Sequence, residues 1–162
     1  GGEVLDLGCG PGVPLAAYMA RKRRQVTGVD AAEAMIELFR ENVPDAEAIN
    51  ADMRGLTLNR RFDAVLAWDS FFHLSPDDQR AMFAVFAAHA KHRAALMFTS
   101  GWQAGEATGH VEGQPVYHSS LCPQEYESLL VANGFEVKYF RPEDPDCGGH
   151  TVWLSRFIGM PS

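Results

Sequence analysis

A chain of 162 residues, 46% hydrophobic and 22% charged, has the size and composition of one soluble domain with a sizeable core. Its formal charge of −7, from 21 acidic against 14 basic side chains, makes a polyanion a poor partner, so no nucleic acid is expected. No apolar run reaches the roughly 20 residues of a membrane span, no leader pattern opens the sequence, and three cysteines without a CxxC pair argue against a disulfide framework or zinc site and point to a reducing, cytoplasmic setting.

Val4 to Leu7 reads as a short apolar strand that stops at three alternate glycines, Gly8, Gly10 and Gly12. Pro14 suits the first turn of a helix, with Leu15, Tyr18 and Met19 as its core face. The basic run from Arg21 to Arg24 falls where that helix ends and complements its dipole. A second strand, Gln25 to Val29, ends at Asp30; Met35, Leu38 and Phe39 then recur at helical spacing until Pro44. Ala46 to Ile49 is a weaker strand. Ala64 to Ala67 form a continuous apolar run, as in a strand covered on both faces.

Ser75 reads as an N-cap followed by Pro76 and two acids, and Met82, Val85, Phe86 and His89 line one face of the helix it starts. Ala94 to Ser100 is a buried strand. From Gly101 to Cys122 neither the helical nor the strand period is visible, which predicts a mobile lid or substrate loop with glycine hinges. A helix follows with Tyr126, Leu129 and Leu130 on its face and Gly134 as its cap. Two strands close the sequence, Phe135 to Phe140 and His150 to Phe157. Only a loop joins them, so they pair antiparallel; within it, "CGGH" at Cys147 to His150 reads as a hairpin turn, not a metal site. Strands alternating with helices predict an α/β fold with a mostly parallel sheet and one domain over 1–162.

In such sheets, ligands bind outside the carboxyl ends of the strands. Glycines after the first strand let backbone N–H groups approach a ligand, with a helix N-terminus pointing at it. Asp30, at the end of the second strand, is placed to accept both hydroxyl hydrogens of a ribose. A dinucleotide fingerprint would put its third glycine at position 13, where Val13 stands instead. Asp6 would repel a pyrophosphate and suits a cationic amine. A ribose at one end and an ammonium at the other describe S-adenosylmethionine.

"VLDLGCGPG" resembles the first motif of the class I S-adenosylmethionine-dependent methyltransferases, and "VTGVDAAEAMIELFREN" their second. "NADMRGL" and "FDAVLAWDSFFHL" resemble the segments at the third and fourth strands. "SLCPQEYESLLVANGFEV" and "CGGHTVWLSRF" are similar to the tail of the small-molecule group. The resemblance implies a three-layer Rossmann-like fold with strand order 3-2-1-4-5-7-6 and the seventh strand antiparallel. It also implies a small-molecule methyl acceptor and a set of cofactor-binding residues. Gly8, Cys9, Gly10 and Gly12 form the turn beside the methionine and ribose, Asp6 orients the amino group, and Asp30 holds the ribose. Ala31 and Met35 lie near the adenine, Asp52 and Met53 receive its edge, and the backbone of Ala67 and Trp68 meets the methionine amine. Family members normally carry helices ahead of the first strand that cover the cofactor. The sequence given begins at that strand, so the cover either comes from elsewhere or is missing from a trimmed domain.

Methyl transfer from a sulfonium needs alignment first and a general base only where the acceptor must lose a proton. The candidate catalytic residues are Asp69 and His73 after the fourth strand, and Tyr117 and His118 in the long segment. Asp69 reads equally as a loop cap, and His73, in "FFHL", as a satisfied, partly buried ring. A helix N-terminus beside Cys9 would lower its pKa, but the implied role of Cys9 is through its backbone, not as a nucleophile. Two alternatives stay open: a nicotinamide-dependent oxidoreductase, and a cofactor-binding module that needs a partner or lacks catalysis. The acceptor and the oligomeric state are not legible.

Overall fold

The computed structural model describes residues 2–101, 103–111, 113–145 and 150–160. In chain order the elements begin β1 (Glu3–Leu7), α1 (Leu15–Arg21), β2 (Gln25–Asp30), α2 (Glu33–Asn42), β3 (Glu47–Asn50) and β4 (Phe62–Ala67). A 3-10 turn (Phe71–His73) leads to α3 (Pro76–Ala88), β5 (Ala90–Ser100), β6 (Gly105–Val111) and β7 (Gln114–Ser120). α4 (Pro123–Ala132), β8 (Phe135–Asp144) and β9 (His150–Phe157) complete the chain.

Apolar β1 is covered on both faces and pairs in parallel with β2 on one side and β4 on the other. The seven-stranded sheet runs β3-β2-β1-β4-β5-β9-β8, with β9 antiparallel to both neighbours. That is the predicted order; only the numbering of the last two strands changes, because β6 and β7 intervene. Strand order reverses between β1 and β4, where a crevice opens at the carboxyl edge. No helix among the described residues is long and apolar enough to cross a membrane.

α3 starts at Ser75, whose Oγ accepts from the Asp78 N–H at 3.2 Å. Its predicted face is buried: Met82, Val85, Phe86 and His89 are all within the core. His89 is satisfied on both sides, with Nδ1 2.7 Å from the Val85 carbonyl and Nε2 accepting from the Leu58 N–H at 3.1 Å. Phe71, Phe83, Phe86, Phe98, Tyr126 and Trp153 form one aromatic cluster, with the Phe98 and Trp153 rings stacked at 5.8 Å.

Two predicted helix faces are rotated from expectation. In α1 the buried residue is Ala16, while Tyr18 is 50% exposed. This two-turn helix packs through Ala16, Ala17, Ala20 and the predicted Met19 against Val26, Phe39 and Val43 and turns its tyrosine toward the crevice. In α2, Ile36 and Phe39 are buried and Leu38 faces out.

The largest correction concerns 101–122, expected to be a structureless loop. It forms the hairpin β6–β7, a two-stranded sheet of its own. Gly105 and Gly109 lie in β6 and Gly113 in the turn, so those glycines are not hinges of a loop. The root of the hairpin is tied down by a buried polar knot. Gln79 Nε2 lies 2.9 Å from the Ser119 carbonyl and 3.0 Å from the Leu74 carbonyl. Tyr126 OH donates to Gln79 Oε1 at 2.6 Å and accepts from the Leu121 N–H at 3.0 Å. Gln79 and Tyr126 are both fully buried, so these bonds satisfy groups that would otherwise be costly to bury. The turn predicted from "CGGH" lies outside the described residues.

Candidate functional site

The end of β1 turns back on β2 through two backbone bonds, Gly8 and Cys9 N–H both donating to the Val29 carbonyl at 2.8 and 3.0 Å. Asp30 then clasps the turn to the start of α2. Its Oδ2 accepts from the Gly10 N–H and its Oδ1 from the Ala32 N–H, each at 2.9 Å. All three glycines have positive φ, +70°, +56° and +84° in chain order, which L side chains avoid.

Space divides them further. A Cβ on Gly8 would lie 2.3 Å from Ser70 Cβ, and one on Gly12 2.8 Å from both Phe39 and Val43. A Cβ on Gly10 meets no protein atom within 4 Å. Of the three, Gly10 alone has open space beside it; Gly8 and Gly12 are small because other protein atoms press on them.

The turn separates two lobes of a cleft. One, of about 610 Å³, is lined by Asp6, Cys9, Gly12, Tyr18 and Trp68. The other, of about 680 Å³, is lined by Gly10, Asp30, Ala31, Met35, Asp52, Met53, His73 and Tyr117. Gly8 and Asp69 line both lobes. Of the twelve predicted cofactor-binding residues, eleven border this cleft; Ala67 is fully buried behind it.

Asp6 is 3% exposed. Burial, and then the charge of Asp30, push its pKa up to about 7, with no hydrogen bond from the described residues to offset them. It is a nearly buried acid whose remaining accessible surface borders a lobe that a cation would suit. Cys9 departs from expectation: burial, followed by the charges of Asp6 and Asp30, drives its thiol pKa up, not down. Burial is the larger cause and the two neighbouring carboxylates add to it. Asp52 is exposed and already engaged, its Oδ2 2.7 Å from an Arg54 guanidinium nitrogen, and this bonding holds its carboxyl below the usual range. Arg54 also reaches Asp78 at 3.2 Å.

Asp69 sits at φ +52°, an uncommon conformation outside glycine that Asp tolerates better than most residues. Its N–H donates to Thr99 Oγ1 at 2.8 Å, and Ser70 Oγ donates to the Leu7 carbonyl at 2.8 Å. These bonds lock the segment after β4 against β5 and β1. His73 is exposed, not partly buried, with Nδ1 3.0 Å from the Tyr117 carbonyl. Tyr117 donates its hydroxyl to Glu106, which keeps the phenol protonated and unsuited to accepting a proton. His118 lies outside the cleft and lines a further cavity, its ring 5.0 Å from that of His73. Sequence reasoning missed Ser70, Thr99 and Arg54, all single polar residues whose roles depend on partners distant in the chain.

A mostly parallel sheet with its crevice at the strand-order reversal, a glycine turn and an acid ending β2 define a three-layer α/β domain of the Rossmann-like class. Residues 4–93 match the family model described as "Methyltransferase domain". The chain belongs to that methyltransferase domain family. It is 39% identical over 66 residues to trans-aconitate 2-methyltransferase of Enterobacter sp. (strain 638), a match covering 40% of this chain and 26% of that protein. It is 34% identical over 94 residues to the cypemycin N-terminal methyltransferase of a Streptomyces species, covering 57% and 38%. These matches span well under half the length of either relative. Among solved structures, a SAM-dependent methyltransferase from Methanosarcina mazei superposes with a TM-score of 0.80 at 19% identity, covering 97% of this chain and 92% of that one. A SAM-bound amino pentose methyltransferase of calicheamicin biosynthesis from Micromonospora echinaspora gives 0.78 at 21%, covering 95% and 82%.

Proposed function

We propose that the chain is the catalytic domain of an S-adenosylmethionine-dependent methyltransferase acting on a small-molecule acceptor in the cytoplasm, with no nucleic acid or membrane partner. The observation that carries this reading is the pair of acids flanking the glycine turn. Asp6, buried and without a donor, faces one lobe; Asp30 faces the other with spare lone pairs on a carboxylate already fixed by two backbone N–H groups. An ammonium satisfies the first and ribose hydroxyls the second. The residues fit the cofactor in composition, and Met35 and Met53 add apolar surface to the second lobe.

S-adenosylmethionine, when bound, supplies a methyl already activated by a sulfonium. What remains for the protein is binding, alignment and proton management. In this reading Asp6 holds the amine, Asp30 the ribose, and the Gly10 backbone lies against the ligand. Asp69, fixed by Thr99 where the two lobes meet, and the exposed His73 are the groups nearest the chemistry. The β6–β7 hairpin serves as the cover on the acceptor side of a single domain. A nicotinamide ligand is disfavoured by Asp6 and by Val13. The exposed Val13 and Tyr18, 51% and 50%, at the mouth of the first lobe favour a second reading, in which another segment completes the site before turnover.

A ligand that binds only the folded state at a hundredfold excess over Kd stabilises it by about 2.7 kcal/mol, or roughly 5–10 °C for a domain of this size. S-adenosylhomocysteine is expected to produce that shift and NAD none, as differential scanning fluorimetry will read directly. The reverse pattern would replace the methyltransferase reading with the oxidoreductase. Asp30→Ala is expected to weaken S-adenosylhomocysteine binding by more than tenfold in calorimetry, since it removes the ribose acceptor and releases the Gly10 N–H. Unchanged affinity would take Asp30 out of the ribose role.

A further inference from the structure

Arg54 ties together two sides of the second lobe. It lies in the turn after β3, beside Asp52 and Met53, and its guanidinium reaches across to Asp78 in the first turn of α3; all four residues line the lobe. Toward Asp52 the contact is a fork. Arg54 Nε lies 3.1 Å from both Asp52 oxygens and a terminal nitrogen, Nη2, 2.7 Å from Oδ2, while the Arg54 backbone N–H donates to Oδ1 at 2.9 Å. Nη1 is left for Asp78 Oδ2, at 3.2 Å. One side chain therefore holds a loop acid and a helix acid at the same time.

Stability is a poor reason for this arrangement. The three side chains are between 39% and 53% exposed, and ion pairs so open to water contribute little to the fold. What the fork does fix is the direction and the hydrogen-bonding capacity of Asp52. An ionised carboxyl only accepts, at about four sites, and the N–H groups of Arg54 fill three of them. The same bonds hold the Asp52 carboxyl below its usual range, so it stays ionised near neutral pH. One acceptor site remains, on a carboxylate that is not free to turn. The rest of the lobe suits a flat ring: Ala31, Met35 and Met53 supply apolar surface, and Asp30, the proposed ribose acid, borders the same space.

We propose that Arg54 is a positioning residue of the nucleoside lobe, whose fork aims the remaining acceptor site of Asp52 at the bound base and so selects a purine with a 6-amino donor over one with a 6-oxo acceptor. The proposal rests on the methyltransferase reading and adds to it a residue that acts through Asp52 without touching the ligand. A 6-oxo group sets its lone pairs against those of Asp52, with no hydrogen between them. Asp78 anchors the far end of the guanidinium, so the fork is held from both sides of the lobe. Lysine is no substitute, because it carries the charge as a point on a flexible stem and lacks the planar fork.

The test compares, by calorimetry on the whole chain, the affinities for S-adenosylhomocysteine and for its 6-oxo analogue, S-inosylhomocysteine. The unaltered protein is expected to favour the amino compound by at least about tenfold, because the exchange of donor for acceptor removes a hydrogen bond to a charged group. Arg54→Ala should weaken S-adenosylhomocysteine about fivefold to tenfold, leave S-inosylhomocysteine within about twofold, and so collapse the preference. Its melting temperature should stay within about 3 °C of the parent, since only exposed pairs are lost. Arg54→Lys should lose the preference as well, and carries the same test should the alanine variant fail to fold. In an Asp52→Ala background, adding Arg54→Ala should cost no more than about twofold further, as for a residue that acts through Asp52. A preference that survives in the Arg54 variants, equal affinity for the two compounds in the unaltered protein, or a fully additive loss in the double variant would each overturn the proposal while the methyltransferase reading stands. Failure of S-adenosylhomocysteine to bind the unaltered chain would instead remove the reading beneath it.

Discussion

Asp6→Asn is expected to raise the melting temperature of the ligand-free protein at pH 8 while weakening its hold on S-adenosylhomocysteine. The folded-state pKa of Asp6 is pushed from 3.8 up to about 7, mainly by burial. The folded chain therefore keeps a proton that the unfolded chain releases above about pH 4, and stability falls as pH rises from there to about 7. Each unit costs about 1.4 kcal/mol, so the ionised side chain costs the ligand-free fold roughly 4 kcal/mol at pH 8. Asparagine removes that cost, and a gain of roughly 2–4 kcal/mol is expected at pH 8, shrinking toward zero at pH 4. Affinity should move the other way. A hydrogen bond to a charged group contributes about 1.5–3 kcal/mol, so the variant should bind S-adenosylhomocysteine roughly tenfold to a hundredfold more weakly. For the unaltered protein, an ammonium beside Asp6 favours its charged form, so binding expels a proton and tightens as pH rises toward about 7. Calorimetry in buffers of different ionisation enthalpy counts that proton. A pH-independent affinity, or no stabilisation at pH 8, would show that Asp6 is not held ready for a cation.

The glycine turn supplies the other large effect. Gly8→Ala combines a positive φ, costing about 1–2 kcal/mol, with a Cβ 2.3 Å from Ser70 Cβ. Overpacking of that kind adds about 1–3 kcal/mol, so a total loss of roughly 2–5 kcal/mol is expected by urea denaturation. Ser70→Gly in the same chain should recover part of it, because the two shortest contacts are with that side chain and the next, Met53 Cε, is at 3.1 Å. Gly10→Ala has only the backbone cost, about 1–2 kcal/mol, and no protein atom in its way. Its expected signature is a melting temperature lowered by about 2–8 °C with S-adenosylhomocysteine affinity lowered more than tenfold. Two glycines two residues apart should thus fail differently, one in folding and one in binding. A Gly10→Ala protein that binds normally would end the assignment of that backbone to the ligand.

Much of the sheet was readable because its strands carry their own signal. Ala64 to Ala67 and Ala94 to Ser100 are apolar runs covered on both faces, and Ser75-Pro76 marks where α3 begins. The hairpin was not readable, because β6 and β7 pair only with each other and present polar, glycine- and proline-containing segments without alternation. Tyr18 misled for a related reason: an aromatic at helical spacing suits a ligand cleft as well as a core. Asp6 and Asp30 could be placed from strand ends alone. Their electrostatics could not, since the raised pKa values of Asp6 and Cys9 come first from burial and then from carboxylates brought together across two strands. Arg54 shows the same limit, because it lies in the turn after β3 and its second partner, Asp78, lies in α3.

The hairpin's attachment has a consequence for how this molecule can diversify. Among the described residues β6 and β7 join no strand of the main sheet, and their root is held by the Gln79–Tyr126 knot in α3 and α4. Everything distal to Ser119 can therefore be lengthened, recharged or replaced without disturbing the register of the seven strands. It is an exchangeable cassette on an unchanging chassis; because Tyr117 borders the second lobe and its carbonyl meets His73, a graft from a relative would redraw that rim of the cleft while the sheet and the glycine turn stay as they are.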